Sequence, residues 1–240
     1  MKYLNKKKDQ TIFQEKSFSA FKDYLRLNPQ CLKTVYCGHK MLPQIQKVLD
    51  SAAHSRIQQV VTDQPDGFSF DVEIRGLTEV EFFEDMVHHR PRCLIALDEV
   101  SDPRNFGAVV RSASFFGVPY VVIKKNRQAL LSEVVISTAQ GGFATVKPVI
   151  VVNLSRFLTR LKDHSFWVIG ADVDGEPVDR VTGVYDATVL VLGSEGSGLR
   201  HQTQKICDRM VRVPGCGKGV QSLNVSVAAG IVMSRFCAIE

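Results

Sequence analysis

Apolar positions in the first part of the chain follow short helical and strand patterns. Phe18, Phe21 and Leu25 share one helical face, which predicts a first helix. Pro43 can open a second helix, and the capping box that starts at Thr78 predicts a third, which reaches residue 86. Strands are predicted at 32–36, 57–61 and 68–74, so this part should form a small α/β unit.

A polar stretch from His88 to Arg92, which contains Pro91, separates this part from a more regular pattern. We place a domain boundary there and expect two domains, at 1–90 and 91–240. In the second domain, strands rich in Val, Ile and Leu without polar alternation indicate a parallel α/β sheet that is covered on both faces. The predicted strands are 94–97, 120–123, 167–171, 189–192 and 210–213, and the predicted helices are 105–116, 132–139, 153–162, 199–207 and 223–236.

Composition permits a folded protein with an RNA partner. The chain has 240 residues, of which 45% are hydrophobic, so it can bury a core and disorder is not expected. Its net charge of +5 is mildly basic, and basic residues are concentrated in the first forty positions. Such a cluster fits a solvated surface as well as a nucleic-acid contact. The basic residues among the first forty positions are Lys2, Lys6, Lys7, Lys8, Lys16, Lys22, Arg26, Lys33 and Lys40.

The cysteine pattern and the absence of long apolar runs predict the cellular compartment of the protein. The six cysteines form no CxxC pair and have no histidine cluster beside them, so we expect no metal site. We expect them to be unpaired, as in a reducing cytosol. No signal-peptide pattern and no run of membrane-spanning length is present, which predicts a cytoplasmic protein without a membrane partner.

The first unusual loop follows the strand that ends at Leu97. In a parallel sheet, ligands bind beyond the carboxyl ends of the strands. Here the loop leads to Asn105 at the start of a helix, and Arg111 interrupts the apolar part of the same helix. Six residues correspond to about 240° around the helix axis, so Asn105 and Arg111 do not share a face. Taken alone, Arg111 could equally be a surface residue.

Two further loops follow the strands that end at Leu192 and Val213. The first contains Gly193, Glu195 and Gly196 in a GxxGxG order. This is not the GxGxxG order of dinucleotide sites, and a plain glycine-rich turn is the simpler alternative. The other loop is also rich in glycine and leads to three polar residues at the start of the last helix. They are Ser222, a possible N-cap, Asn224 and Ser226.

Together these loops resemble the SpoU (TrmH) family of RNA 2′-O-ribose methyltransferases, in the SPOUT class. The three motifs occur in order at 105–111 with 116–118, at 192–198, and at 213–214 with 222–228, within a region from about Cys93 to Glu240. The glycine-rich turn at 215–219 is slightly longer than is usual in the family. The resemblance implies an α/β fold with a SPOUT-type parallel sheet, a C-terminal trefoil knot, and a homodimer with its active site near the subunit interface.

The resemblance also implies the chemistry of the site. The cofactor would be S-adenosylmethionine and the substrate a ribose 2′-hydroxyl of tRNA or rRNA. Residues 1–90 would form an RNA-binding domain of α/β/α type that resembles certain ribosomal proteins. Glu195 would organise the site and hold Arg111, which would stabilise the developing alkoxide or clamp a phosphate. The implied catalytic residues are Asn105, Arg111, Glu195, Ser222 and Asn224, and the implied cofactor-binding residues are Leu192, Gly193, Gly196, Val213 and Leu223.

Two other interpretations remain open at this point. A catalytically silent RNA-binding protein on the same fold is disfavoured because all five implied catalytic residues are present. An NAD-dependent enzyme of Rossmann type is disfavoured by the glycine order. A thermal-shift comparison of S-adenosylmethionine with NAD separates the second alternative from the main interpretation.

Overall fold

The computed structural model describes residues 10–51, 57–125, 131–181, 186–217 and 219–237. Two separate sheets organise these residues. A mixed sheet of four strands comes first in the chain, and a sheet of seven strands follows it. The predicted division into a small and a large α/β unit matches this arrangement of sheets.

The first sheet has the strand order β1-β4-β2-β3. Strand β4 runs antiparallel to both β1 and β2, and β2 runs parallel to β3. The predicted strands and helices of this unit are present with small shifts at their ends, and β1 is an additional strand. The elements are β1 (Gln10–Glu15), α1 (Phe18–Leu27), β2 (Leu32–Gly38), α2 (Leu42–Ser51), β3 (Gln58–Thr62) and β4 (Phe68–Arg75).

The second sheet is parallel throughout, as predicted, in the order β11-β9-β10-β6-β7-β8-β5. Its strands are β5 (Leu77–Thr78), β6 (Cys93–Leu97), β7 (Tyr120–Lys124), β8 (Lys147–Val151), β9 (Trp167–Pro177), β10 (Thr188–Leu192) and β11 (Arg209–Arg212). Its helices are α3 (Glu79–His88), α4 (Pro103–Phe115), α5 (Glu133–Ala139), α6 (Leu154–Asp163), α7 (His201–Gln204) and α8 (Val225–Phe236).

Buried side chains cover both faces of the second sheet. Along β6, Ile95 and Leu97 contribute to one apolar cluster, whereas Leu94 and Ala96 contribute to the other. The first cluster continues without a break into the N-terminal unit, where it includes Phe21. The two units therefore share one of the two apolar cores.

Strand β5 is part of the second sheet and helix α3 packs against it, although both precede the expected boundary at residue 90. Strand β5 pairs with β8, and Phe82 and Met86 of α3 are buried in the second apolar cluster. The two sheets thus divide near Gly76, and the polar stretch at 88–92 connects α3 to β6. The assignment of 1–90 and 91–240 as independent domains stays a prediction.

Three local predictions differ from the structure. The helix expected at 199–207 is limited to α7, a single turn. The last helix is capped by Asn224 and not by Ser222, because the Asn224 side chain accepts the main-chain N–H of Ser226. Cys93 and Cys237 are paired in a disulfide, with their Cα atoms 5.9 Å apart, because the fold places the start of β6 beside the end of α8.

None of the described helices has both the length and the apolar character that crossing a membrane requires.

Candidate active site

Helix α4 places Asn105 at the carboxyl edge of the second sheet. Asp102 caps the helix through an N–H from Arg104 at 2.8 Å, and Pro103 follows in the first turn. Asn105 therefore lies in the first turn, as the sequence predicted, and only 7% of it is exposed. A buried amide needs hydrogen-bond partners, and the other two loops supply them.

Asn105, Glu195 and Asn224 form a closed ring of hydrogen bonds. Asn105 Nδ2 donates to Glu195 Oε1 at 2.8 Å, and Asn224 Nδ2 donates to the same oxygen at 2.6 Å. Asn224 Nδ2 also donates to Asn105 Oδ1 at 3.0 Å. Each residue comes from a different motif, so the ring joins three loops that are far apart in the sequence.

Asn224 has a second role, because it connects the ring to helix α8. Its Oδ1 accepts the N–H of Ser226 at 2.9 Å and the hydroxyl of Ser226 at 2.6 Å. The side chain is thus fixed at both ends, and a preorganised amide of this kind can orient a substrate without further rearrangement.

The loop after β10 is a tight turn closed by its own main chain. Ser194 and Gly198 exchange two main-chain hydrogen bonds of 3.1 Å each. Gly196 and Gly198 have φ values of +91° and +63°, which favour glycine. A Cβ at Gly193 would lie 2.2 Å from the carbonyl carbon of Gly198. The close packing of this turn therefore requires glycine at position 193, and the turn in its own right holds Glu195 in place.

A buried carboxylate ties this turn to the loop after β6. Asp98 is fully buried, and its main-chain N–H donates to the carbonyl of Leu192 at 2.8 Å. Its carboxylate accepts the main-chain N–H of Arg200 at 3.1 Å and Nε of Arg200 at 2.7 Å. Arg200 also lies 3.5 Å from Glu99, which pairs with Lys124 at 2.9 Å. Sequence reasoning missed Asp98 and Arg200, although a charged residue at the end of an apolar strand was a usable signal.

The described residues of the loop between β11 and α8 leave most of its main chain without main-chain partners among them. Within the described residues, neither 213–217 nor 219–223 makes a main-chain hydrogen bond to another described residue. The apolar side chains of Val220 and Leu223 are 83% and 48% exposed in this segment. Such main-chain donors and acceptors beside exposed apolar side chains can bind a ligand that has both a purine ring and an amino-acid group.

Arg111 and Ser222 are not part of the ring. Arg111 is exposed on another side of α4, as the helical spacing predicted, and lines a cleft beside α1. The expected contact between Glu195 and Arg111 is not formed, because Glu195 Oε1 bonds the two asparagines instead. Ser222 is exposed, two residues before Asn224, and bonds no described side chain.

Comparison with known proteins decides the family. A model of the SpoU rRNA Methylase family matches residues 92–234, more than half of the chain. The chain belongs to the SpoU rRNA methylase family. Membership confirms the predicted class of activity and methyl donor, the S-adenosylmethionine-dependent 2′-O-methylation of RNA.

Similar proteins cover almost the whole chain. The 23S rRNA (guanosine-2'-O-)-methyltransferase RlmB of Neisseria meningitidis is 33% identical over 91% of this chain and 92% of that protein. The RlmB of Vibrio parahaemolyticus is 31% identical over 87% of this chain and 81% of that protein. The sequence similarity to these relatives therefore extends beyond the family region into the N-terminal unit.

Solved structures support the fold. The SpoU methyltransferase AviRb from Streptomyces viridochromogenes, in complex with AdoMet, has a TM-score of 0.77 at 18% identity, covering 94% of this chain and 89% of that chain. An AdoMet-bound rRNA methyltransferase from Sinorhizobium meliloti has a TM-score of 0.71 at 21% identity, covering 93% and 86%. These likenesses confirm the α/β fold of SPOUT methyltransferases, and the trefoil knot stays a prediction.

The described residues fit S-adenosylmethionine. The free main-chain groups at 213–217 and 219–223 lie in the loop that connects Val213 to the ring residue Asn224. Leu192 ends the strand that carries the tight turn with Glu195. The predicted cofactor residues thus lie in the two segments that the ring holds together.

Proposed function

We propose that this protein methylates the ribose 2′-hydroxyl of a guanosine in 23S rRNA. The 23S rRNA guanosine methyltransferases to which it is similar span nearly its whole length, including the unit outside the family region. The observation that carries the proposal is the Asn105–Glu195–Asn224 ring, because it joins one residue from each of the three family motifs.

In this proposal the ring orients the ribose. Oε2 of Glu195 bonds none of the described residues, so it can accept a hydrogen bond from a ribose hydroxyl. Asn105 has a second N–H on Nδ2, which can bind a ribose oxygen. Ser222, two residues from the ring, adds a hydroxyl that can reach the substrate. Because the sulfonium of S-adenosylmethionine is already a good methyl donor, placement of the hydroxyl is the main task, worth up to about 7–11 kcal/mol.

The loops after β10 and β11 would hold the cofactor through main-chain groups. Val213 and Leu223 lie at the two ends of the segment without main-chain partners among the described residues. Leu192 ends β10, and Gly193 and Gly196 lie in the turn that follows it. Backbone binding explains why these positions are apolar or glycine, since no charged side chain is needed.

Arg111 would stabilise negative charge during the reaction. An arginine side chain stays protonated in proteins, so we assign it stabilisation of the developing alkoxide or of the adjacent phosphate, and not proton abstraction. Its guanidinium bonds none of the described residues and is available for that contact.

We further propose a homodimer in the cytoplasm. Val227 and Ile231, one turn apart on α8, are 51% and 37% exposed, and the exposed Leu223 lies just before the start of this helix. Such an apolar stripe beside the site suits a second copy of the chain. The basic N-terminal unit would bind RNA in each copy.

The proposed function is tested with 23S rRNA from a strain that lacks the gene. The rRNA and, in a parallel reaction, tRNA from the same strain are incubated with the protein and methyl-labelled S-adenosylmethionine, and the digested nucleosides are separated. We expect label in 2′-O-methylguanosine at one position. Label in tRNA alone would replace the proposed substrate, and RNA binding without label would favour the silent RNA-binding alternative.

A further inference from the structure

A cleft of about 240 Å³ lies between helix α1 of the N-terminal unit and helix α4 of the second unit. Asp23 and Arg26 line it from α1, and Arg111 and Ser114 line it from α4. The turn at 140–142 completes the lining. Residues of both units thus surround one cavity, and one of them is the proposed catalytic Arg111.

Two glycines in that turn fix the distance between the two helices. Gly141 has a φ of +86°, and a Cβ there would lie 3.2 Å from Cα of Ala20 on α1. A Cβ at Gly142 would lie 3.1 Å from the carbonyl oxygen of Val110 on α4. The turn contacts both helices closely, so the backbones of α1 and α4, which carry Arg26 and Arg111, are held at the two sides of the cleft.

The cleft carries an excess of positive charge. Arg26 pairs with Asp23 at 3.2 Å, and their side chains are 72% and 40% exposed, so solvent screens this pair. Arg111 has no ion pair or hydrogen bond with any of the described residues. Two guanidinium groups therefore face one carboxylate. The hydroxyls of Ser114 and Thr145 are hydrogen-bonded at 2.7 Å, which fixes the wall behind them.

We propose that this cleft binds a phosphodiester of the substrate RNA, held between Arg26 and Arg111. The inference rests on the proposed function and adds Arg26 as an RNA-binding residue. Guanidinium groups bind phosphate through paired hydrogen bonds. The volume is below the 300–1,000 Å³ or so that is typical of small-molecule pockets, which favours one group on an extended chain over a whole metabolite.

The test compares two full-length variants that lose one positive charge from the same unit. Arg26→Ala removes a cleft residue, whereas Lys47→Ala removes an exposed residue of α2 that does not line the cleft. For 23S rRNA from the deletion strain, we expect Arg26→Ala to weaken binding about tenfold. The slope of log Kd against log salt should fall by about 0.7–0.9, the loss of one phosphate contact.

The kinetic readout separates a binding role from a structural one. Arg26→Ala should raise KM for RNA and leave kcat within about twofold, with unchanged S-adenosylmethionine affinity by calorimetry. Arg26→Lys should recover part of the RNA affinity, since it keeps the charge but not the fork. Lys47→Ala should change RNA affinity by less than about twofold.

Equal RNA affinity and salt slope for Arg26→Ala and Lys47→Ala would overturn the proposal. Loss of inorganic phosphate binding in Arg26→Ala with unchanged RNA affinity would also overturn it, because the cleft would then bind free phosphate. Failure of the proposed function looks different. In that case the wild type forms no 2′-O-methylguanosine, while Arg26→Ala still binds RNA more weakly than Lys47→Ala.

Discussion

Arg111 and Asn105 lie on one helix but serve different surroundings. Asn105 is buried in the ring with Glu195, whereas Arg111 is exposed toward the cleft beside α1. Their separation of six residues predicted different faces, and the sequence alone left Arg111 as either a catalytic or a surface residue. The cleft now gives Arg111 a charged environment in which a phosphate can bind.

Replacement of Arg111 by lysine distinguishes these two roles. Lysine keeps the charge and nearly the length, so a surface residue would tolerate it. A preorganised contact to an alkoxide or phosphate requires the planar fork, and its loss typically costs about 10²–10³ in rate. We expect Arg111→Lys to lower single-turnover methylation at least about a hundredfold, with unchanged folding and S-adenosylmethionine affinity. A rate within a few-fold of wild type would make Arg111 a surface residue.

At the scale of elements, periodicity predicted most of the second sheet but missed β8 and β5. Strand β8 contains Pro148, which argues against a strand within a sheet. In the structure its neighbour β5 pairs only with Val149 and Ile150, so no β5 residue lies opposite Pro148. Strand β5 has two residues, too few to form a detectable pattern.

Local chemistry was easier to predict than long-range pairing. The capping box at Thr78 and Glu81 is present as expected, because it depends on neighbouring residues only. The Cys93–Cys237 pair has a sequence separation of 144 residues, so only the fold reveals it. The ring likewise joins residues 90 and 119 positions apart. Their grouping in one site was predicted from the family resemblance and not from their spacing in the sequence.

The position of α3 leads to a prediction about fragments. Phe82 is fully buried and Met86 is 6% exposed, both against the second sheet. A fragment of residues 91–240 lacks them, whereas a fragment of 77–240 keeps them, and neither contains α1 or β1. Truncation of a buried Phe costs about 3–5 kcal/mol, so we expect the longer fragment to be more stable by several kcal/mol in urea unfolding. Equal midpoints would mean that α3 contributes little to this core.

At the scale of the whole molecule, the ring brings the carboxyl ends of separate strands into one site. The turn after β10, the start of α4 and the start of α8 meet there, and Asp98 ties the loop after β6 to Arg200. The shared apolar core includes residues of the N-terminal unit and of the same α4 helix. Helix α4 thus carries a ring residue, Asn105, on one side and a residue of the cleft, Arg111, on another.

The most direct test of the ring uses two asparagines that both cap helices. Asn224 caps α8 and belongs to the ring, whereas Asn153 caps α6 through an N–H from Arg156 at 3.0 Å and lies outside the ring. Substitution of either by alanine should cost about 1 kcal/mol of stability. Single-turnover methylation of 23S rRNA is then measured for both. We predict a fall of at least about a hundredfold for Asn224→Ala and a rate near wild type for Asn153→Ala, and similar rates for the two variants would contradict the assignment of the ring as the active site.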